Sequence, residues 1–302
     1  MGATGKVGDA RCPRAGPQDA IIQLSHEADI IITNKCPYSA ATIEQLPNLK
    51  FIAVTATGYN IVDVAAARKH GIPVSNVPEY GTRTVAQFTW ALILELCHRV
   101  GLHSESVKAG DWTKSPDFCY WLTPQVELAG KKLGLVGYGR IARQVGEIGA
   151  AFGMRVLASG RLGSKPPAEP SVKWLSTDEL FATADVVSLH CPLTPETQQL
   201  VNAERIKRMR RSAFLVNTSR GGLINEKDLA AALQERVIAG AAVDVASHEP
   251  IQPDNPLLTA PNCLITPHIA WSALAARERL MRATAENVAA FLVGRPINVV
   301  NG

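Results

Sequence analysis

The sequence predicts an α/β fold built from two doubly wound parallel-sheet domains, one inserted in the other. Length is the first observation: 302 residues exceed a comfortable single core and fall short of three. The second is that short runs of Val, Ile and Leu recur along the chain, separated by amphipathic stretches. The third is that these runs are apolar throughout rather than alternating. Such strands must be covered on both faces, so helices flank each sheet on two sides.

In chain order the expected strands are Ala28–Thr33, Phe51–Thr55, Leu133–Val136, Val156–Ala158, Val186–His190, Phe214–Asn217, Ala241–Val245 and Leu264–Thr266. The first arrives late. The Pro- and Gly-containing stretch before Ala28 has no strand pattern, so an opening edge strand is missing or replaced. Val77-Pro78-Glu79-Tyr80-Gly81 interrupts the chain ahead of a helical pattern from about Thr84. Pro267-His268 precedes a last amphipathic helix, from about Ala273 to Leu292. These breaks give one domain over residues 1–80 and 269–302 and an inserted domain over 81–268.

Composition removes several function classes. Hydrophobic residues at 46% with 19% charged are ordinary globular usage, and the formal charge is only +4. The single dense basic run, Lys207 to Arg211, falls where a helix should end and reads as a solvated last turn, so nucleic acid is not an expected partner. Six cysteines never form a CxxC pair, which points to reduced thiols in a cytoplasm and to no metal site. No leader or lipidation signal is read at Met1 to Gly16. The longest apolar run, Phe88 to Leu94, is far below the ~20 residues of a membrane span.

Leu133-Gly134-Leu135-Val136 runs directly into Gly137-Tyr138-Gly139-Arg140-Ile141-Ala142, which opens a helical pattern through Val145, Ile148 and Phe152. This is GxGxxA between a strand and a helix. The first Gly permits the tight turn, the second lets backbone approach a pyrophosphate, and small Ala142 lets the helix pack against the strand. Arg140 either contacts the pyrophosphate or points to water. In NAD-binding turns an acid about 20 residues further on holds the ribose hydroxyls. Gly160 and Arg161 stand there instead, with Lys165 close behind. Arg161 can pair with a 2′-phosphate through its planar fork, which favours NADP(H), NADPH over NADH. The plainer alternative leaves Arg161 as a solvated loop residue.

Three chemical groups follow three expected strands: Arg220 after Phe214–Asn217, Glu249 beyond Ala241–Val245, and His268 after Leu264–Thr266. Carboxyl ends of parallel strands are where α/β ligands lie. Hydride transfer to a ketone needs a proton at the developing alkoxide, and His268 can supply it. Glu249 beside it favours the imidazolium and fixes the tautomer. Arg220 would hold a substrate carboxylate or polarise the carbonyl oxygen. Each residue alone also has a structural explanation, in capping, turn shaping or packing. His248 competes with His268 but sits in a loop, and His190 is expected to pack near the adenine side.

Through GYGRIA, HCPLTPET, VNTSRGGLINEKDL, AVDVASHEP and TPHIAW, the chain resembles the D-isomer-specific 2-hydroxyacid dehydrogenases from about Ala28 to its end. TATGYNIVD, SPDFCYW and HIAW make it most similar to the glycerate dehydrogenases, also called hydroxypyruvate reductases. The resemblance implies a Rossmann-type nucleotide domain inserted in a flavodoxin-like substrate domain, with homodimers built through the former. It carries the family's Arg, Glu and His to Arg220, Glu249 and His268. It further implies that backbone amides around Thr57 and Gly58 hold the substrate carboxylate. Arg140, Ile141, Pro192, Thr197, Thr218 and Asp244 would contact cofactor, Asp244 at the nicotinamide amide. The expected reaction reduces a small 2-oxoacid, hydroxypyruvate or glyoxylate, to D-glycerate or glycolate. A nucleotide-sensing binding protein of corepressor type, on the same fold without turnover, is the alternative.

Overall fold

The computed structural model describes residues 18–160 and 169–302. It divides into two compact units, one of the described residues up to Tyr80 with Leu274–Gly302, the other Gly81–Ala273. The chain recrosses after Ala273 rather than at 268/269. The reason is local: Asp244 accepts the backbone N–H groups of Ile269 (2.9 Å) and Ala270 (2.8 Å), and Trp271 Nε1 donates to the His268 carbonyl at 2.9 Å. Those bonds hold 269–271 to the second unit.

The smaller unit contains a parallel sheet of β1 (Ile30–Thr33), β2 (Phe51–Val54) and β3 (Val74–Ser75), in that order. Every residue of β2 is buried, which is why it reads as a continuous apolar run. Asp63 caps the helix Val64–Lys69 by accepting from the Ala66 N–H at 2.9 Å. The last helix, Leu274–Leu292, stacks Phe291 on Phe51 with ring centroids 4.5 Å apart. Beyond it, Asn301 Oδ1 accepts from the Val74 N–H at 2.8 Å and so ties the chain end to β3.

The larger unit holds seven parallel strands: β4 (Lys132–Val136), β5 (Arg155–Ser159), β6 (Val172–Trp174), β7 (Val186–Leu189), β8 (Phe214–Asn217), β9 (Gly240–Val243) and β10 (Cys263–Ile265). Their order is β10-β9-β8-β7-β4-β5-β6. The chain winds outward from β4 to β6, then returns to β7 on the other side of β4. That reversal creates a switch point beside β4, where loops after neighbouring strands diverge and leave a crevice.

Two apolar layers cover the sheet. One packs Trp90, Ile93, Leu133, Leu135 and Val145 under the helices Thr82–His98 and Arg140–Ala151. The other packs Leu180, Phe181, Leu189, Ile206 and Leu229 under the helices Thr177–Thr183, Ala203–Arg208 and Glu226–Gln234. The basic run ends the second of these: Arg208 pairs with Glu204 at 3.0 Å and Arg210 with Asp185 at 2.8 Å. Among the described residues no helix is long and apolar enough to cross a membrane.

Candidate active site

At the switch point β4 turns through Gly137, whose φ of 84° lies in the left-handed region that favours glycine. Its N–H donates to the Ser159 carbonyl at 2.8 Å, and a Cβ there would stand 2.7 Å from the Cys191 nitrogen. Gly139 then caps the helix Arg140–Ala151 with no side-chain hydrogen bond, and a Cβ added to it meets nothing within 4 Å. The first turn of a helix thus faces open space without a capping side chain, an arrangement suited to a pyrophosphate. Ala142 is fully buried, and Gly149 lets the helix approach until a Cβ would reach 2.7 Å from Leu133. These residues fit a dinucleotide. Arg140 and Ile141 open that helix, with Arg140 exposed. The neighbouring Arg143 lies 4.9 Å from the centroid of the Tyr138 ring and pairs with Glu169.

Gly160 follows the buried end of β5, and Arg161 lies outside the described residues. On the other side of β4, His190 follows β7 and donates its N–H to the Val136 carbonyl at 2.8 Å. Its Nε2 is 2.9 Å from Ser188 Oγ, and desolvation pushes its pKa down to about 4, so the ring is neutral at physiological pH. The turn after Cys191 is self-braced: Thr197 Oγ1 donates to the Pro192 carbonyl at 2.7 Å and accepts from the Thr194 N–H at 2.7 Å. The Thr218 hydroxyl is 2.9 Å from that of Thr89.

Arg220, Glu249 and His268 follow β8, β9 and β10, which are adjacent and parallel, so the three stand along one edge of the sheet. The buried Asn217 shapes the Arg220 turn, donating to the Arg220 carbonyl at 2.9 Å and accepting from the Ser219 N–H at 3.0 Å. One guanidinium nitrogen of Arg220 donates to the Ser219 carbonyl at 2.8 Å. The rest of that planar fork has no partner among the described residues.

Glu249 Oε2 lies 2.7 Å from His268 Nδ1, and its Oε1 accepts from the Ala246 N–H at 3.3 Å. A carboxylate acceptor puts hydrogen on Nδ1 and leaves Nε2 to exchange a proton with a ligand. His248 stays apart, its Nδ1 3.4 Å from Gln252 Nε2. His268 adopts φ 55°, and the buried Asp244 accounts for the tight turn around it. The Asp244 carboxylate accepts from the Thr266 hydroxyl at 2.6 Å as well as from the Ile269 and Ala270 N–H groups, so Oδ1 takes two donors and Oδ2 one. Among the described residues no cluster of His, Cys, Asp and Glu could hold a metal ion.

In the smaller unit, Thr57 follows the end of β2. Its hydroxyl donates to the Val77 carbonyl at 2.9 Å, and its carbonyl accepts from Asn76 Nδ2 at 2.7 Å. The N–H groups of Thr57 and Gly58 make no hydrogen bond among the described residues, which leaves a rigid turn with two available donors.

The family model "D-isomer specific 2-hydroxyacid dehydrogenase, NAD binding domain" matches residues 90–270. A hydroxypyruvate reductase of Blautia hydrogenotrophica is 47% identical over 94% of this chain and 88% of its own. The chain belongs to the D-isomer specific 2-hydroxyacid dehydrogenase family. A glycerate dehydrogenase of Methylorubrum extorquens is 40% identical over 93% of this chain and 88% of its own. Among solved structures, the TT0316 protein from Thermus thermophilus matches with a TM-score of 0.88 at 38% identity, covering 95% of this chain and 91% of that one. An acyclic imino acid reductase in complex with NADPH and D-Arg matches at 0.85 and 28% identity, covering 94% and 89%.

This D-2-hydroxyacid dehydrogenase is therefore an oxidoreductase that uses a nicotinamide cofactor to interconvert a 2-oxoacid and a D-hydroxyacid. Reading the sequence alone missed Asn217 and Glu226, whose side chains brace the loops bearing Arg220 and Glu249. Asn217 works within its own turn, on Ser219 and Arg220, where an Asn after a strand is a local turn signal. No local pattern marks Glu226, whose partners Ser247 and Asn255 lie 21 and 29 residues away.

Proposed function

We propose that the enzyme reduces hydroxypyruvate or glyoxylate to D-glycerate or glycolate, with NADPH preferred over NADH, the unit of the residues up to Tyr80 with Leu274–Gly302 serving as the substrate domain and Gly81–Ala273 as the nucleotide domain. The observation that carries this reading is the 2.7 Å Glu249–His268 pair on the same sheet edge as a half-buried Arg220. Both names among the relatives, hydroxypyruvate reductase and glycerate dehydrogenase, support the substrate class.

When bound, the nicotinamide supplies the hydride. Arg220 holds the substrate carboxylate or carbonyl oxygen through its unpaired N–H groups and stabilises negative charge as it develops. His268 delivers the Nε2 proton to the new alkoxide, and Glu249 keeps the ring oriented and compensates its charge. Thr57 and Gly58 offer backbone N–H groups to the substrate carboxylate. Gly137, Gly139, Arg140 and Ile141 would hold the pyrophosphate, and Pro192, Thr197 and Thr218 would contact the rest of the cofactor. Asp244 Oδ2, which takes one donor among the described residues, would be available to accept from the carboxamide. With Gly160 in place of an acid no carboxylate would repel a 2′-phosphate, and Arg161, outside the described residues, would be the group to pair with it.

The test follows oxidation of NADPH and NADH by hydroxypyruvate and identifies the product's configuration. kcat/KM at least tenfold higher with NADPH, and D-glycerate as product, are expected; roughly tenfold is what one such charged contact supplies. No oxidation at any pH with nucleotide still bound would replace the reductase with a sensor. Equal use of NADH would remove Arg161 as selector.

The partner is a second copy. Phe118 is 88% and Trp121 70% exposed, and Trp121 lines one surface depression with exposed Val100 of the helix Val100–Lys108. His103 fastens this segment, its Nε2 accepting from the Leu122 N–H at 3.0 Å. An apolar surface of this kind marks an interface. Sedimentation should give a dimer that Trp121→Glu dissociates; a monomeric wild type would refute it. A cytoplasmic location suits free thiols such as buried Cys97 and Cys191, both pushed up to about 11 by desolvation, and cell fractionation reads it.

A further inference from the structure

We propose that Glu226 is a positioning residue for the proton-donating pair, setting the loop that carries Glu249. The proposal rests on the reading of His268 as proton donor. Glu226 begins the helix Glu226–Gln234, where a carboxylate would ordinarily serve its own first turn. That task falls to Asn225, which accepts from the Asp228 N–H at 3.2 Å. The Glu226 side chain crosses to another segment instead. Its Oε1 accepts from the Ser247 N–H at 2.7 Å, and its Oε2 from the Ser247 hydroxyl at 2.5 Å and from Asn255 Nδ2 at 2.9 Å.

Those partners bracket Glu249. Ser247 precedes it by two positions, and Asn255 closes the far side of a segment that contains no helix or strand. Asn255 is itself fixed, being buried and accepting from the Leu257 N–H at 3.0 Å. One carboxylate therefore ties both ends of the loop, and the loop holds Glu249 Oε2 against His268 Nδ1. Glu226 also follows closely on Arg220 in the chain. Between them Gly221 abuts the Ala246-Ser247 peptide so tightly that a Cβ would fall 1.9 Å from the Ala246 carbonyl carbon. The Arg220 arm and the Glu249 arm are thus joined at two places, a backbone contact at Gly221 and a set of charge-assisted hydrogen bonds at Glu226.

The Ser247 N–H and the Asn255 amide nitrogen can only donate, and they meet opposite oxygens of Glu226, so Gln, with one acceptor oxygen and an NH2, leaves one of them facing a donor even if the Ser247 hydroxyl turns to accept. The loop would relax and the Glu249–His268 pair would lose its alignment. Misplacement of a catalytic group by about 1 Å costs on the order of a hundredfold in rate.

The experiment is a double-mutant cycle on the full chain, with Glu226→Gln, Glu249→Gln and the double variant assayed for hydroxypyruvate reduction at saturating NADPH. Glu226→Gln should lower kcat by about tenfold to a hundredfold, with substrate KM and NADPH affinity within about threefold. The double variant should be no slower than Glu249→Gln alone, because Glu226 works through Glu249. Independent, multiplying losses would overturn the proposal, as would an unchanged kcat in Glu226→Gln. Should Glu226→Gln not fold, Ser247→Ala in the same cycle gives the same reading, since it removes the hydroxyl bond and keeps the backbone one. If His268→Ala leaves turnover intact, the mechanism itself falls; if His268 is essential and the cycle is additive, only the role of Glu226 falls.

Discussion

Replacing His268 by Ala is expected to lower kcat for hydroxypyruvate reduction by about a thousandfold while NADPH binds within about threefold of wild type. The first half of that expectation comes from proton inventory. The product alkoxide must be protonated, and His268 presents Nε2 while Nδ1 is held 2.7 Å from a carboxylate. The nearest competitor in sequence, His248, is exposed and faces Gln252. The second half comes from topology. His268 follows the edge strand β10, whereas the pyrophosphate turn follows β4, with β9, β8 and β7 between. Removing an imidazole at one end of the sheet leaves Gly137 and the helix Arg140–Ala151 untouched. Steady-state rates and a fluorescence titration with NADPH measure the two halves separately. A kcat within tenfold of wild type would mean that water or another group donates the proton. Loss of NADPH binding in parallel would mean that the substitution damaged the fold.

The parts of the molecule that could be read from the sequence share a physical cause. β2, β4, β7, β8 and β9 are buried along almost their whole length, so two-sided covering forces an unbroken apolar run that needs no structure to recognise. β6 escaped because it is an edge strand, half-exposed and carrying Lys173 in its middle. β3 escaped because it is two residues long and follows Pro73. Arg220, Glu249 and His268 could be picked out because each closely follows a legible strand, and neighbouring parallel strands bring their carboxyl ends together. Glu226 could not. Its partners lie 21 and 29 residues away, and nothing in the string of letters separates a carboxylate that braces a distant loop from one that caps its own helix. Asp244 lies between the two cases. Resemblance directed it to the cofactor, while its three bonds to Thr266, Ile269 and Ala270 show that it also shapes the His268 turn.

Gly221→Ala and Gly222→Ala should behave as opposites although they add the same methyl group one residue apart. At Gly221 the new Cβ would meet the Ala246 carbonyl carbon at 1.9 Å, its oxygen at 2.0 Å and the Ser247 nitrogen at 2.4 Å. All three are atoms of one peptide unit, planar and unable to rotate aside. The conflict can be relieved only by displacing the loop that carries Glu249. That movement breaks the Glu226–Ser247 bonds and draws the carboxylate away from His268. Overpacking against backbone places the cost at about 3 kcal/mol or more, equivalent to a fall in Tm of roughly 6–12 °C for a unit of this size. kcat should drop by about a hundredfold or more, as expected for loss of alignment. At Gly222 the new Cβ would approach Leu193 Cδ2 at 2.9 Å and Cδ1 at 3.3 Å, the tip of a side chain that is itself exposed and can change rotamer. Its Tm should stay within about 2 °C and its kcat within about twofold of wild type. Thermal unfolding and steady-state kinetics on the two variants decide the matter. Equal behaviour would show that the contact between the Arg220 and Glu249 arms is not what holds the site together.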